Sequence, residues 1–128
     1  GTLMMSPELD AKLTKDFPNL YGSEELFGFE CRDGWAPLIR KLSEKLEPTG
    51  VVASQVKEKF GTLRYYFYYP EQMSPNESKT VDELVRVAED ESARTCEFCG
   101  AAGETRSLRW IRTLCSDHYA EESRRLGL

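Results

Sequence analysis

Apolar residues recur along this chain at spacings that predict most of its elements. In DGWAPLIRKLSEKLEP, residues Trp35, Leu38, Ile39, Leu42 and Leu46 fall three or four apart. That is the period of a helix with one buried face, and Pro37 lies in the first turn, where proline is tolerated. Pro48 and Gly50 close it. Nearer the start, Ser6, Pro7 and Glu8 supply a capping hydroxyl, a proline suited to the first helical position and an acid that complements the helix dipole. They predict a short helix over 7–16. Between these helices Pro18, Gly22, Gly28 and Gly34 interrupt the aromatics without a steady period. The expectation is an irregular loop that turns Phe17, Tyr21, Phe27 and Phe29 inward.

The stretch VVASQVKEKFGTLRYYFYYP is rich in Val, Phe and Tyr and is broken at Gly61, so it predicts two strands of a hairpin. Alternation places Leu63, Tyr65, Phe67 and Tyr69 on one face and Thr62, Arg64, Tyr66 and Tyr68 on the other. One face serves the core. The second is either covered by the rest of the chain or exposed, and an exposed surface of Arg64, Tyr66 and Tyr68 has the composition of a protein-binding hot spot. Residues 70–79 are polar with two prolines and predict a surface loop. Thr80 and Glu83 then form a capping-box pattern ahead of Val81, Leu84, Val85 and Ala88, which predicts a third helix.

The chemistry is concentrated in CEFCGAAGETRSLRWIRTLCSDH. Cys96 and Cys99 are separated by two residues, as are Cys115 and His118, with fifteen residues between the pairs. Three thiolates and an imidazole at this spacing are a ligand set for one tetrahedral zinc. Gly100 permits the turn of a knuckle, SLRWIRTL has strand-like composition, and DHYAEESRRL favours a helix. Knuckle, hairpin and helix in that order describe a treble-clef-like module. Four protein ligands leave no open position for water or substrate, so the zinc would be structural. Two plainer readings remain: reduced core cysteines beside a surface histidine, or a redox dithiol at Cys96 and Cys99, which would leave Cys115 and His118 unexplained. Cys31 has no partner at metal-ligand spacing and is expected to be a buried structural thiol.

The fold expected is α+β: a body over residues 1–93, with helices on a hairpin or short antiparallel sheet, and a zinc module over residues 94–128. No flexible Gly/Ser spacer separates the two, so they should form one cooperative unit, with Trp110 or Leu114 packed on the body. The chain has 128 residues, 17 basic and 22 acidic, for a net charge of -5. That balance repels a phosphate backbone. Six of the arginines lie in residues 94–128, so nucleic-acid binding through Arg106, Arg109 and Arg112 around Trp110 stays as the alternative function. No apolar run approaches the roughly 18 residues of a membrane span, and GTLMMSPELD lacks the regions of a signal peptide, so a cytoplasmic protein is expected.

The motifs GFECRDGWAPLI, QVKEKFGTLRYYF, CEFCG and WIRTLCSDH together resemble a family of small uncharacterised proteins encoded by bacteriophages and prophages. The likeness runs from about Phe17 to Tyr119. It implies an α+β body followed by a zinc-binding tail in the cytoplasm of a bacterial host. It implies no catalytic residue. The single histidine is claimed by the metal, which leaves no second one for a nuclease of the HNH type or for an activated nucleophile. The expected function is therefore non-catalytic: a zinc-stabilised interaction or host-modulating protein whose partner is a host factor, including components of bacterial defence, or a phage complex. Arg64, Tyr66, Tyr68, Arg109 and Arg112 are the candidate contact residues.

Overall fold

A computed structural model describes residues 4–128. The fold is α+β. Its elements are α1 (Pro7–Asp16), β1 (Phe29–Glu30), α2 (Ala36–Leu46), β2 (Val52–Lys59), β3 (Thr62–Tyr68), α3 (Pro75–Ser92), β4 (Glu104–Ser107), β5 (Ile111–Leu114) and α4 (Ser116–Arg125). One sheet has the order β1-β2-β3, and β4 and β5 form a second, two-stranded sheet. Among the described residues no helix is long and apolar enough to cross a membrane.

The α2 stripe is buried as its period requires: Leu38, Ile39, Leu42 and Leu46 join Trp35, Val56, Leu63, Tyr65, Val81 and Val85 in one core. β2 and β3 pair antiparallel, from Lys59 opposite Thr62 to Val52 opposite Tyr68, with an irregularity between Ala53 and Gln55. The alternation in β3 is the expected one. Leu63 and Tyr65 are buried, while Tyr66 and Tyr68 are exposed on the other face. The outer edge of β3 is closed by α3, because the Leu63 amide donates to Ser92 Oγ at 2.8 Å and the Tyr65 amide to Glu89 Oε2 at 2.9 Å. A strand edge satisfied by side chains is a poor template for another strand.

Three details differ from the sequence expectations. The helix expected from Thr80 begins at Pro75, because Ser74 caps it: Ser74 Oγ accepts from the Glu77 amide at 3.2 Å while the Ser74 amide donates to Glu77 Oε1 at 3.1 Å. Ser-Pro-Asn-Glu is thus cap, first position and third position of a capping box rather than a loop. Thr80 lies inside the helix and donates to the Asn76 carbonyl. Within the 17–34 segment, Phe29 and Glu30 form a strand parallel to β2, with Phe29 opposite Val56. Phe17, Tyr21 and Phe29 are buried there, but Phe27 is 86% exposed.

The turn from β2 to β3 is formed by Phe60 and Gly61, as the break at Gly61 predicts. Phe60 has φ 54 and Gly61 φ 82. A left-handed pair of this kind favours Asn-Gly, and a phenylalanine there costs about 1 kcal/mol. Phe60 recovers nothing by burial, being 63% exposed.

Candidate metal centre

The module after α3 follows the predicted order. The knuckle spans Cys96–Gly100, β4 and β5 pair antiparallel from Glu104 opposite Leu114 to Ser107 opposite Ile111, and α4 follows directly. Gly100 has φ 81 and its amide donates to the Cys96 carbonyl at 2.9 Å, which closes the knuckle. Cys115 is the N-cap of α4, and its sulfur accepts from the His118 amide at 3.4 Å. One helical turn carries His118 to the same side as Cys115.

These elements bring all four expected ligands together. The sulfurs of Cys96, Cys99 and Cys115 and a ring nitrogen of His118 lie within 4.8 Å of one another and could hold a metal ion. Cys99 Sγ is 3.8 Å from Cys115 Sγ, and His118 Nδ1 is 3.5 Å from Cys96 Sγ and 3.3 Å from Cys115 Sγ. Tetrahedral ligands about 2.0–2.3 Å from a shared ion place two sulfurs about 3.8 Å apart and a sulfur and a nitrogen about 3.5 Å apart. The Cys99–Cys115, Cys96–His118 and Cys115–His118 separations are of that size. Three thiolates this close would repel one another, and a central cation would remove that cost.

The local field favours a thiolate at Cys115. The His118 amide at the start of α4 is the main cause, and it brings the Cys115 thiol down to about 7. At Cys99 the Ala101 amide also pulls downward, but burial and the neighbouring Cys96 and Cys115 sulfurs raise it overall. Phe98 stacks on the His118 ring at 5.1 Å, and the Arg32 guanidinium lies 4.5 Å from the centre of the Phe98 ring. His118 is thereby held in place by a side chain from within the knuckle.

The knuckle is locked to the body at a joint that periodicity and spacing did not reveal. Gly34, just before α2, donates from its amide to the Glu97 carbonyl at 2.8 Å. A Cβ at Gly34 would lie 2.3 Å from the Cys96 oxygen and 2.5 Å from the Glu97 oxygen, so only glycine permits this approach. Trp35 Nε1 donates to the Thr95 carbonyl at 2.9 Å, and Thr113 Oγ1 to the Gly61 carbonyl at 2.6 Å. Glu97, between the two knuckle cysteines, is fully buried and accepts from the Thr113 amide at 2.9 Å. Burial raises its carboxyl to about 7, although the Thr113 amide and Arg112 pull it the other way.

Arg112 belongs to the same joint. Its guanidinium is 3.1 Å from Glu58 on β2 and 3.8 Å from Glu97. The residue is buried, which removes it from the expected contact surface, since its charge is spent on two interior carboxylates. Arg106 is opposite Arg112 in register and lies over the Tyr119 ring. Arg109 is exposed and donates to the Leu126 carbonyl. Arg64 is half-buried, and Tyr66 and Tyr68 are exposed, with the Tyr68 hydroxyl donating to Glu25 at 2.8 Å. Of the two residues expected at the joint, Leu114 is fully buried and Trp110 remains 45% exposed. Cys31 is buried, and burial followed by the nearby Glu97 charge pushes its thiol far above the ordinary range, which suits an inert core cysteine.

Compared with known proteins, the chain matches no family model, no curated protein and no solved structure.

Proposed function

We propose that this is a non-catalytic interaction protein whose C-terminal module is built around one structural zinc. The observation that carries the metal assignment is the set of sulfur and nitrogen separations among Cys96, Cys99, Cys115 and His118. A donor set of three thiolates and one imidazole suits zinc among the common divalent ions. All four positions are filled by protein, so the ion would contribute folding free energy rather than a reactive water. His118 is the only histidine in the chain, and its use as a ligand leaves none for acid–base work.

The contact surface in this reading is the open face of the three-stranded sheet, where Tyr66 and Tyr68 stand beside Arg64. Both outer-edge amides named above are taken by α3, which favours recognition through side chains over addition of a partner strand. The resemblance to phage and prophage proteins supplies the partner class, a bacterial host factor or a phage complex in the cytoplasm. Burial of Arg112 leaves fewer free cations in the tail and favours a protein partner over nucleic acid.

Two measurements test the proposal. Elemental analysis of protein purified without added metal should give about one zinc per chain. An affinity pull-down from bacterial lysate should retain a defined protein after nuclease treatment and lose it when Tyr66 and Tyr68 are both changed to alanine. A folded tail with no metal, or with Cys96 and Cys99 joined as a disulfide, sinks the zinc assignment. Loss of all bound material on nuclease treatment moves the function to nucleic-acid binding.

A further inference from the structure

The turn between β2 and β3 and the turn between β4 and β5 meet at the seam between body and metal module. A Cβ on Gly61 would touch Ile111 Cγ2 at 3.2 Å and the Arg112 backbone at 3.3 Å, so the β2–β3 turn lies against the start of β5, directly after the β4–β5 turn. Around that contact three large apolar side chains remain in solvent: Phe60 at 63%, Trp110 at 45% and Ile111 at 39% exposure. Lys59 lies 5.6 Å over the Phe60 ring, and Arg109 precedes Trp110 in its turn. Both cations are exposed in a chain whose net charge is -5.

Phe60 is the informative residue. It occupies a left-handed position where asparagine is favoured, and it is largely exposed, so its backbone is strained and its side chain gains little by burial. A strained, exposed aromatic is better explained by what it touches in a complex. Beside it, a tryptophan, an isoleucine and flanking cations have the make-up of an interface hot spot.

We infer that this seam is a docking surface for a protein segment presenting an apolar side chain flanked by carboxylates, and that it is assembled only while the metal module is seated on the body. The apolar anchor would enter between Phe60, Trp110 and Ile111, and the carboxylates would meet Lys59 and Arg109. Two exposed cations beside an aliphatic side chain, Lys59 and Arg109, neither held by a carboxylate in an ion pair among the described residues, suit an acidic peptide better than a phosphate backbone, which requires several basic contacts for useful affinity. The second half of the inference rests on the metal reading above. The two turns are juxtaposed through the Thr113–Gly61 hydrogen bond and the Arg112–Glu58 ion pair, both of which cross the seam. Losing the metal would release one half of the surface from the other.

The test uses the full metal-loaded chain. A random-peptide display library is panned against it, and the enriched peptide and an oligothymidylate, both fluorescently labelled, are titrated by polarisation. Enrichment of an aromatic or aliphatic residue flanked by Asp or Glu is expected, with Kd raised at least about tenfold by Phe60→Asn, by Trp110→Ser and by chelation of the metal. Phe60→Asn should keep its zinc and have a Tm equal to or above that of the parent, since Asn-Gly suits the turn. Tyr66→Ala with Tyr68→Ala should leave the peptide affinity unchanged, which separates this surface from the sheet face. Failure to enrich such a motif, or affinity indifferent to both seam substitutions, overturns the docking surface while leaving the zinc stoichiometry intact. Peptide binding that survives chelation overturns its dependence on the metal. Oligothymidylate binding with a steep salt dependence assigns the seam to nucleic acid, and concentration-dependent self-association abolished by Phe60→Asn assigns it to a second copy of the chain. Either of those results also overturns the proposal.

Discussion

Gly34→Ala is the smallest perturbation that should separate the knuckle from the body. The added methyl would lie 2.3 Å from the Cys96 oxygen and 2.5 Å from both the carbonyl carbon and oxygen of Glu97. All three are backbone atoms, so no side chain can rotate away, and the knuckle must shift by more than an ångström to reach ordinary contact. That movement lengthens the Gly34–Glu97 bond of 2.8 Å and the Trp35–Thr95 bond of 2.9 Å beyond hydrogen-bonding range. Each contributes about 1 kcal/mol, and leaving the indole N–H of fully buried Trp35 unpaired adds about 1–2 kcal/mol. The total is about 3–4 kcal/mol, and for a domain of this size Tm should fall by roughly 10 °C or more. Urea unfolding followed by tryptophan fluorescence gives the free energy, and a chelator competition gives metal retention. The expected result is a large loss of stability with weaker metal retention in the same variant. A variant within about 0.5 kcal/mol of the parent would refute the close backbone approach, because surface substitutions cost no more than that.

Two further outcomes follow from particular residues. Ser74→Ala should cost about 1 kcal/mol by removing the cap of α3, while Thr80→Ala should change stability by less than about 0.5 kcal/mol, as an exposed interior helix position does; equilibrium unfolding of the pair decides which residue starts the helix, and the reverse order would place the start at Thr80. Burial pushes Tyr21 up to about 12, against the hydrogen bonds from Ser43 and Tyr65, and burial also raises Tyr65. Unfolded phenols ionise near pH 10, so above that pH the unfolded chain holds fewer protons than the folded one, and stability should fall as pH rises from about 10 towards 12. Phenolate absorbance should show two of the six tyrosines titrating only as the fold opens; smooth titration of all six in a folded protein would contradict the buried Tyr21–Tyr65 pair.

Much of this arrangement is legible in the sequence because it rests on short-range pattern. The α2 stripe, the alternation of β3 and the two-residue spacing within each ligand pair are local, and each maps onto one geometry. The start of α3 was equally local but ambiguous. Two prolines within ten residues signal a loop, yet Pro75 after a capping serine signals a helix start, and the Ser74–Glu77 bonds decide between them. β1 has only two residues and exists because Phe29 finds Val56, twenty-seven positions away. The joint has the same character. Nothing around Gly34 announces that its amide will meet the Glu97 carbonyl, nor that Arg112 will leave the surface for Glu58 and Glu97. Such contacts are set by the packing of separate segments, and their sequence signal is confined to an isolated glycine and a charged residue inside a knuckle.

A metal held by Cys96, Cys99, Cys115 and His118 would be part of the folding unit of the whole chain. Hydrogen exchange on Cys99→Ser tests this most directly, since Cys99 is exposed and its sulfur lies against that of Cys115 within the module. Loss of one ligand should lower the protection of amides on both sides of the joint, including Val56 in β2 and Tyr65 in β3, because the free energy of metal binding is shared through Gly34, Trp35, Gly61 and Glu58. Deprotection confined to residues 96–128, with the Val56 and Tyr65 amides as slow as in the parent, would contradict it and make the tail an independent module.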